Sequence, residues 1–110
     1  MREQAVMQRV AIEATRKGWR VFRNNVGVLT DPRGVPVRYG LMVGSGDLIG
    51  WRPVTITPEM VGQTIAQFVS LEVKGPKGRI SEAQRRWAGM VEEGGGLALV
   101  VRGVEELHDA

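Results

Sequence analysis

Residues Leu97–Val101 form an uninterrupted apolar run of strand length, set directly behind Gly94-Gly95-Gly96. A strand with apolar side chains on both faces is most stable where both faces are covered, so this run suits a sheet covered on both faces. Residues 67–74, carrying Phe68, Val69, Leu71 and Val73, make the strongest strand candidate, and Gly75-Pro76-Lys77-Gly78 breaks it. Between the two, Ser81 opens a helix whose buried face is marked by Trp87 and Val91 and which the three glycines stop.

The amino-terminal half is built from shorter pieces. In residues 2–17, Met7, Val10 and Ala14 recur at spacings of three and four, the pattern of a helix with one buried stripe, and Glu3 lies on that stripe. Gly18 ends the helix, and residues 19–24 read as a strand. Residues 26–30 and 35–39 flank Asp31-Pro32-Arg33-Gly34, with Asp, Pro and Gly at the first, second and fourth positions of a type I turn, so a hairpin is expected. Gly44-Ser45-Gly46 leads into a short strand over residues 47–51, which Arg52-Pro53 terminates. Thr57-Pro58-Glu59-Met60 reads as one helical turn with the threonine as its cap, and residues 104–107 as a short final helix. The order is helix, several strands, helix, strand, helix, condensed to α-β-β-β-β-α-β-α: an α/β fold with a mixed sheet flanked by helices. With 110 residues and no repeat or linker, a single domain over residues 1–110 is expected.

Composition narrows the chemistry. There is no cysteine and one histidine, His108, which reads as a surface residue of the last helix. Disulfides, thiolate metal sites and cysteine nucleophiles are excluded, and zinc or histidine catalysis is disfavoured. Any metal must sit on oxygen ligands, which favours Mg²⁺ or Mn²⁺. No apolar run approaches the roughly 18 to 20 residues of a membrane span, and the polar start Met1-Arg2-Glu3-Gln4 lacks the pattern of a secretory signal. A cytoplasmic protein is expected. The net charge of +3 says little, but Arg16, Lys17, Arg20 and Arg23 cluster early and Lys74, Lys77, Arg79, Arg85 and Arg86 cluster late. That distribution suits a polyanionic partner and equally suits a solvated surface.

Side chains alternate across a strand, so Ser70, Glu72 and Lys74 share one face while Leu71 and Val73 take the other. Asp47 opens a different strand, after glycines that allow close backbone approach. If the two strands pair, both carboxylates can bind one divalent cation. The cation polarises a phosphate oxygen and acidifies a bound water, and the lysine orients or deprotonates that water. Taken singly, Glu-x-Lys is a common tripeptide and Asp47 is good turn chemistry. Only the combination is informative.

Gly46-Asp47-Leu48-Ile49-Gly50, Glu72-Val73-Lys74, the run Gly78-Arg79-Ile80-Ser81-Glu82-Ala83-Gln84, and Gly95-Gly96 before an apolar strand together resemble the VRR-NUC domain of the PD-(D/E)XK nuclease superfamily. The resemblance extends over nearly the whole chain, from Glu3 through Arg23-Asn24-Asn25-Val26-Gly27, with Gly46 standing where the superfamily has a proline. It implies a restriction-endonuclease-like fold, with Asp47 and Glu72 as metal ligands, the Val73 carbonyl as a third, Lys74 as the catalytic lysine, and Glu3 and Gln84 completing the site. From the residues alone, Glu3 either favours the helix amino terminus by about 0.3 to 1 kcal/mol or faces inward and needs a partner. Gln84 stands three residues after Ser81, the spacing of a capping box, which competes with a role in the site. Lys77 and Arg79 are candidates for phosphate contacts, and Asn24 and Asn25 for substrate contacts or for shaping the hairpin entrance. Trp19 and Trp87 read as core.

Bare-domain members of this family, typically phage or bacterial, resemble homodimeric enzymes that resolve branched DNA such as four-way junctions. Mg²⁺ or Mn²⁺ is the implied cofactor, with no organic cofactor and no membrane partner. A non-catalytic nucleic-acid-binding subunit of a recombination or packaging complex is the alternative, and an interaction protein whose charges form ion pairs a third.

Overall fold

The computed structural model describes residues 2–108. The chain divides into two compact units, Met1–Arg52 and Pro53–Ala110.

The first unit holds α1 (Glu3–Arg16), β1 (Arg20–Arg23), β2 (Gly27–Thr30), β3 (Pro36–Tyr39) and β4 (Leu48–Trp51). α1 packs on β1 with Ala14 only 7% exposed. The packed stripe runs through Met7, Ala11 and Ala14, while Val10, expected on it, is 51% exposed. Alanines at 11 and 14 admit closer approach of the helix than a valine would, and Val10 is left on the flank. β1 pairs antiparallel with β4, Arg20 opposite Trp51 and Arg23 opposite Leu48, and the Phe22 and Trp51 rings lie 5.6 Å apart. Trp19, expected as core, is half-buried with the Lys17 ammonium 5.1 Å and the Arg52 guanidinium 5.6 Å from its ring centre, a cation–π arrangement.

β2 and β3 form the expected hairpin, Gly27 opposite Tyr39 and Thr30 opposite Pro36. The Gly34 amide donates to the Asp31 carbonyl at 2.9 Å, closing the turn. The Asp31 carboxylate accepts from the Val35 amide at 2.9 Å and the Arg33 amide at 2.8 Å, and from the Arg33 guanidinium. The Val35 amide chiefly, then the Arg33 side chain, hold the Asp31 carboxyl below the usual carboxylate range.

The second unit holds a 3-10 turn (Pro58–Met60), β5 (Val69–Val73), α2 (Glu82–Glu93), β6 (Leu97–Val101) and α3 (Glu105–His108). Thr57 stands at the cap position of the 3-10 turn, but its side chain makes no cap bond. The Glu59 main-chain amide chiefly, then the neighbouring Thr57 hydroxyl, hold the Glu59 carboxyl below the usual carboxylate range. β5 and β6 are parallel, Val69 opposite Leu97 and Val73 opposite Val101, and α2 is the crossover that packs on both. Every residue of β6 is half-buried or buried, in keeping with its apolar run.

The core of this unit centres on Val91, 1% exposed. Gly95 turns the chain out of α2 at φ 91°, a conformation that favours glycine. At Gly96 an added Cβ would lie 2.8 Å from Val91 Cγ1 and 3.0 Å from the Phe68 carbonyl oxygen, so only glycine lets β6 start this close to the helix. The described residues carry five strands between α1 and α2, one more than the condensed order, each inside a segment read as a strand. No helix among them is long and apolar enough to cross a membrane.

Candidate active site

β5 covers its polar face and exposes its apolar one. Ser70, Glu72 and, just past the strand end, Lys74 are half-buried, whereas Val69, Leu71 and Val73 are exposed, Val73 to 74%. This reverses what burial of apolar area favours, at about 25 cal/mol per Å². Breaches of that rule concentrate at functional sites. The covered face lies under α2, where the Trp87 indole N–H donates to the Ser70 hydroxyl at 2.8 Å and the Phe68 ring meets Trp87 edge-on. Trp87 is thus packing, with its polar atom satisfied.

On that face the Lys74 ammonium lies 3.6 Å from Glu72 Oε2. A cavity of about 120 Å³ beside Glu72 is lined by Glu72, Gln84, Ser70, Trp87 and Arg85, with Leu99 of β6 among its apolar walls. Gln84 forms the anticipated capping box: its Oε1 accepts from the Ser81 amide at 2.9 Å, and its own amide donates to Ser81 Oγ at 3.1 Å. The cap therefore uses only the oxygen of the Gln84 side chain. Its NH₂ group makes no hydrogen bond among the described residues, and the half-buried side chain lines the same cavity as Glu72.

The ends of the parallel ladder orient the Val73 carbonyl. The Phe68 carbonyl accepts from the Leu97 amide at 2.9 Å and the Lys74 amide donates to the Val101 carbonyl at 3.1 Å. Main-chain groups of even-numbered residues thus point to β6, and by alternation the Val73 carbonyl points to the opposite edge, where β6 does not use it. Past the strand, Lys77 and Arg79 are exposed and make no ion pair or hydrogen bond among the described residues. The turn they belong to is held by Arg102, whose guanidinium donates to the Gly75 carbonyl at 2.6 Å and the Gly78 carbonyl at 2.8 Å. The Glu106 carboxylate accepts from the Arg102 main-chain amide at 2.9 Å, the chief reason its carboxyl lies below the usual range.

In the first unit, Asp47 is exposed immediately before β4, and its carboxylate has no hydrogen bond or ion pair among the described residues. Asn24 organises its surroundings. The Asn24 amide donates to the Asp47 carbonyl at 2.8 Å. The Asn24 side-chain NH₂ donates to Ser45 Oγ at 2.7 Å and the Gly46 carbonyl at 2.9 Å, and its oxygen accepts from the Leu41 amide at 3.1 Å. Asn25 accepts from the Arg23 guanidinium at 2.9 Å. Glu3, expected to face inward, is exposed: it sits in the first turn of α1, one turn before Met7, where the packed stripe begins. Neither the guanidinium bonds of Arg102 nor the bonds of Asn24 carry a sequence signal, since each joins residues 17 to 27 positions apart.

The donors suit a hard cation. Glu72 and the Val73 carbonyl in the second unit offer oxygen only, as does the Asp47 carboxylate in the first, and oxygen is the donor that Mg²⁺ and Mn²⁺ prefer. No cluster of three or more His, Cys, Asp or Glu that could hold a metal ion is gathered among the described residues.

A mixed α/β chain with a parallel β-α-β unit, antiparallel ladders and a Glu-x-Lys strand end under a helix has the restriction-endonuclease-like fold of a nuclease. The chain belongs to the VRR-NUC domain family, whose model matches residues 37–105. Asp47, Glu72, Val73, Lys74, Lys77, Arg79 and Gln84 fall inside that stretch, while Glu3, Asn24 and Asn25 fall outside it. No curated protein and no solved structure matched the chain.

Proposed function

We propose that the protein is a divalent-metal-dependent DNA endonuclease, specific for branched structures such as four-way junctions and active as a homodimer, with residues 1–110 working as one nuclease domain. The observation that carries the reading is the Glu72–Lys74 pair, 3.6 Å apart on the covered face of β5, inside the stretch that the family model matches. A carboxylate brought under a helix beside a cavity and paired with a lysine, with apolar neighbours turned out, is difficult to explain by stability alone.

In this reading Asp47, Glu72 and the Val73 carbonyl hold Mg²⁺ or Mn²⁺, which when bound polarises the scissile phosphate and acidifies a water. Lys74 orients or deprotonates that water and steadies phosphate charge. The Gln84 NH₂, left over by the cap, donates into the same cavity. Glu3 completes the site. Lys77 and Arg79 hold flanking phosphates, contacts that fix register without reading sequence. Symmetric incision of a junction needs two sites related by a two-fold axis, which a homodimer supplies.

Labelled four-way junction, flap and linear duplex incubated with Mg²⁺ or Mn²⁺ test this directly. Cleavage of a branched substrate ahead of the duplex is expected. Equal cutting of all three would overturn the structural specificity, and binding without cutting under both metals would favour a non-catalytic subunit. A monomer mass in light scattering of an active preparation would overturn the homodimer.

A further inference from the structure

We infer that Arg102 is a positioning residue of the nuclease site, acting on Lys74 and Lys77 through the turn that follows β5 rather than on the substrate. The inference rests on the nuclease reading of Lys74, and it names a residue that neither the sequence pattern nor that reading assigns.

Arg102 directly follows β6, next to the last rung of the parallel ladder, where the Lys74 amide donates to the Val101 carbonyl. Its guanidinium spans the mouth of the turn, one nitrogen on the Gly75 carbonyl at 2.6 Å and another on the Gly78 carbonyl at 2.8 Å. Inside the turn the Gly78 amide donates to the Gly75 carbonyl at 3.1 Å. Gly78 in turn lies against the lysine stem: a Cβ there would stand 3.2 Å from Lys74 Cδ and 3.3 Å from Lys74 Cβ. The chain of contacts is therefore Arg102, Gly75 and Gly78, then the Lys74 side chain, with Lys77 carried at the tip. The Glu106 carboxylate, bonded to the Arg102 main-chain amide, ties the start of this chain to α3.

In the turn Gly75-Pro76-Lys77-Gly78 the proline fixes one φ, but Lys77 and the closing Gly78, which has no side chain to hold it, keep rotational freedom. A planar fork that bonds two carbonyls at once supplies what the turn lacks. A lysine at 102 keeps the charge but is a point donor and cannot reproduce the bridge. Commitment to carbonyls also distinguishes Arg102 from Lys77 and Arg79, whose side chains are exposed and unpaired among the described residues.

The test compares R102K and R102A with wild type in three measurements on the full chain. Hydrogen exchange reads the Gly78 amide, junction cleavage reads kcat and KM separately, and junction binding without added metal reads the dependence of affinity on salt. The account expects both variants to lose Gly78 protection and to lower kcat on the order of 10- to 100-fold, the scale of misplacing a group about 1 Å. It also expects the salt slope to stay unchanged. A direct phosphate contact instead predicts that R102K cleaves like wild type and that R102A lowers the slope by about 0.9; either result overturns the inference. Should R102A fail to fold, R102K carries the comparison alone. If the wild-type protein cuts nothing, the nuclease reading fails separately, and retained Gly78 protection in R102K still overturns the clamp.

Discussion

The Lys74 ammonium stands 3.6 Å from the Glu72 carboxylate, two residues along one strand and on the face that α2 covers. The side chains retain 20% and 38% of their exposure, so water still screens the pair. Stability gives little reason to keep it there. Lys74→Ala and Glu72→Gln are expected to shift unfolding free energy by under about 1 kcal/mol while cleavage falls by about 10²-fold or more. Denaturant melts and single-turnover cleavage on the same preparations check both. Loss of several kcal/mol with cleavage retained would make the pair structural.

The capping box separates two roles of Gln84. Ser81→Ala removes the cap oxygen and is expected to cost about 1 kcal/mol of stability. Gln84→Glu keeps an oxygen for the Ser81 amide, since glutamate serves equally in this box, but removes the NH₂ group beside Glu72. Its melting temperature should stay near that of wild type while cleavage drops. Unchanged cleavage in this variant would leave Gln84 a cap and nothing more.

Asn24 spends both side-chain donors on the loop that precedes Asp47. Asn24→Asp is nearly isosteric but sets an oxygen against the Gly46 carbonyl, so the loop loosens and with it the Asp47 carboxylate. We expect the variant to need more Mn²⁺ for half-maximal cleavage, by about 10-fold or more, the usual scale for partners of metal ligands. Mn²⁺ titration by calorimetry gives the same comparison without catalysis. A direct substrate contact would instead weaken DNA binding at unchanged Mn²⁺ requirement.

Asp31 sets a pH dependence in the hairpin. Its folded carboxyl lies below the usual range because it accepts from the Val35 amide and the Arg33 side chain. A lowered folded pKa means that its stabilisation is full above the unfolded carboxylate pKa and is lost as pH falls through the folded one. Carboxyl NMR titration should place Asp31 below the ordinary aspartate value. A titration at or above the ordinary aspartate value would contradict the turn geometry.

Local chemistry explains what the sequence made legible. The glycine and proline breaks, the apolar run of β6 and the Ser81–Gln84 spacing each act within a few residues, and each element they mark is present. The stripe of α1 was misplaced by one position, Val10 for Ala11, because both fit helical spacing and only contact with β1 decides between them. Thr57 has the sequence of a cap but its side chain makes no cap bond. Pairing partners, β1 with β4 and β5 with β6, depend on the whole chain. So do the bonds of Asn24 and the guanidinium bonds of Arg102, which explains why the sequence left Asn24 open between substrate contact and shaping the hairpin entrance and marked Arg102 not at all.

The central claim is that Glu72-Val73-Lys74 performs phosphodiester hydrolysis. Single-turnover cleavage of a labelled four-way junction in Mg²⁺ or Mn²⁺, by wild type and by Lys74→Ala at saturating protein, measures it most directly. The account predicts incision by wild type that disappears in the variant while the variant still binds the junction. Incision by Lys74→Ala at the wild-type rate would contradict it.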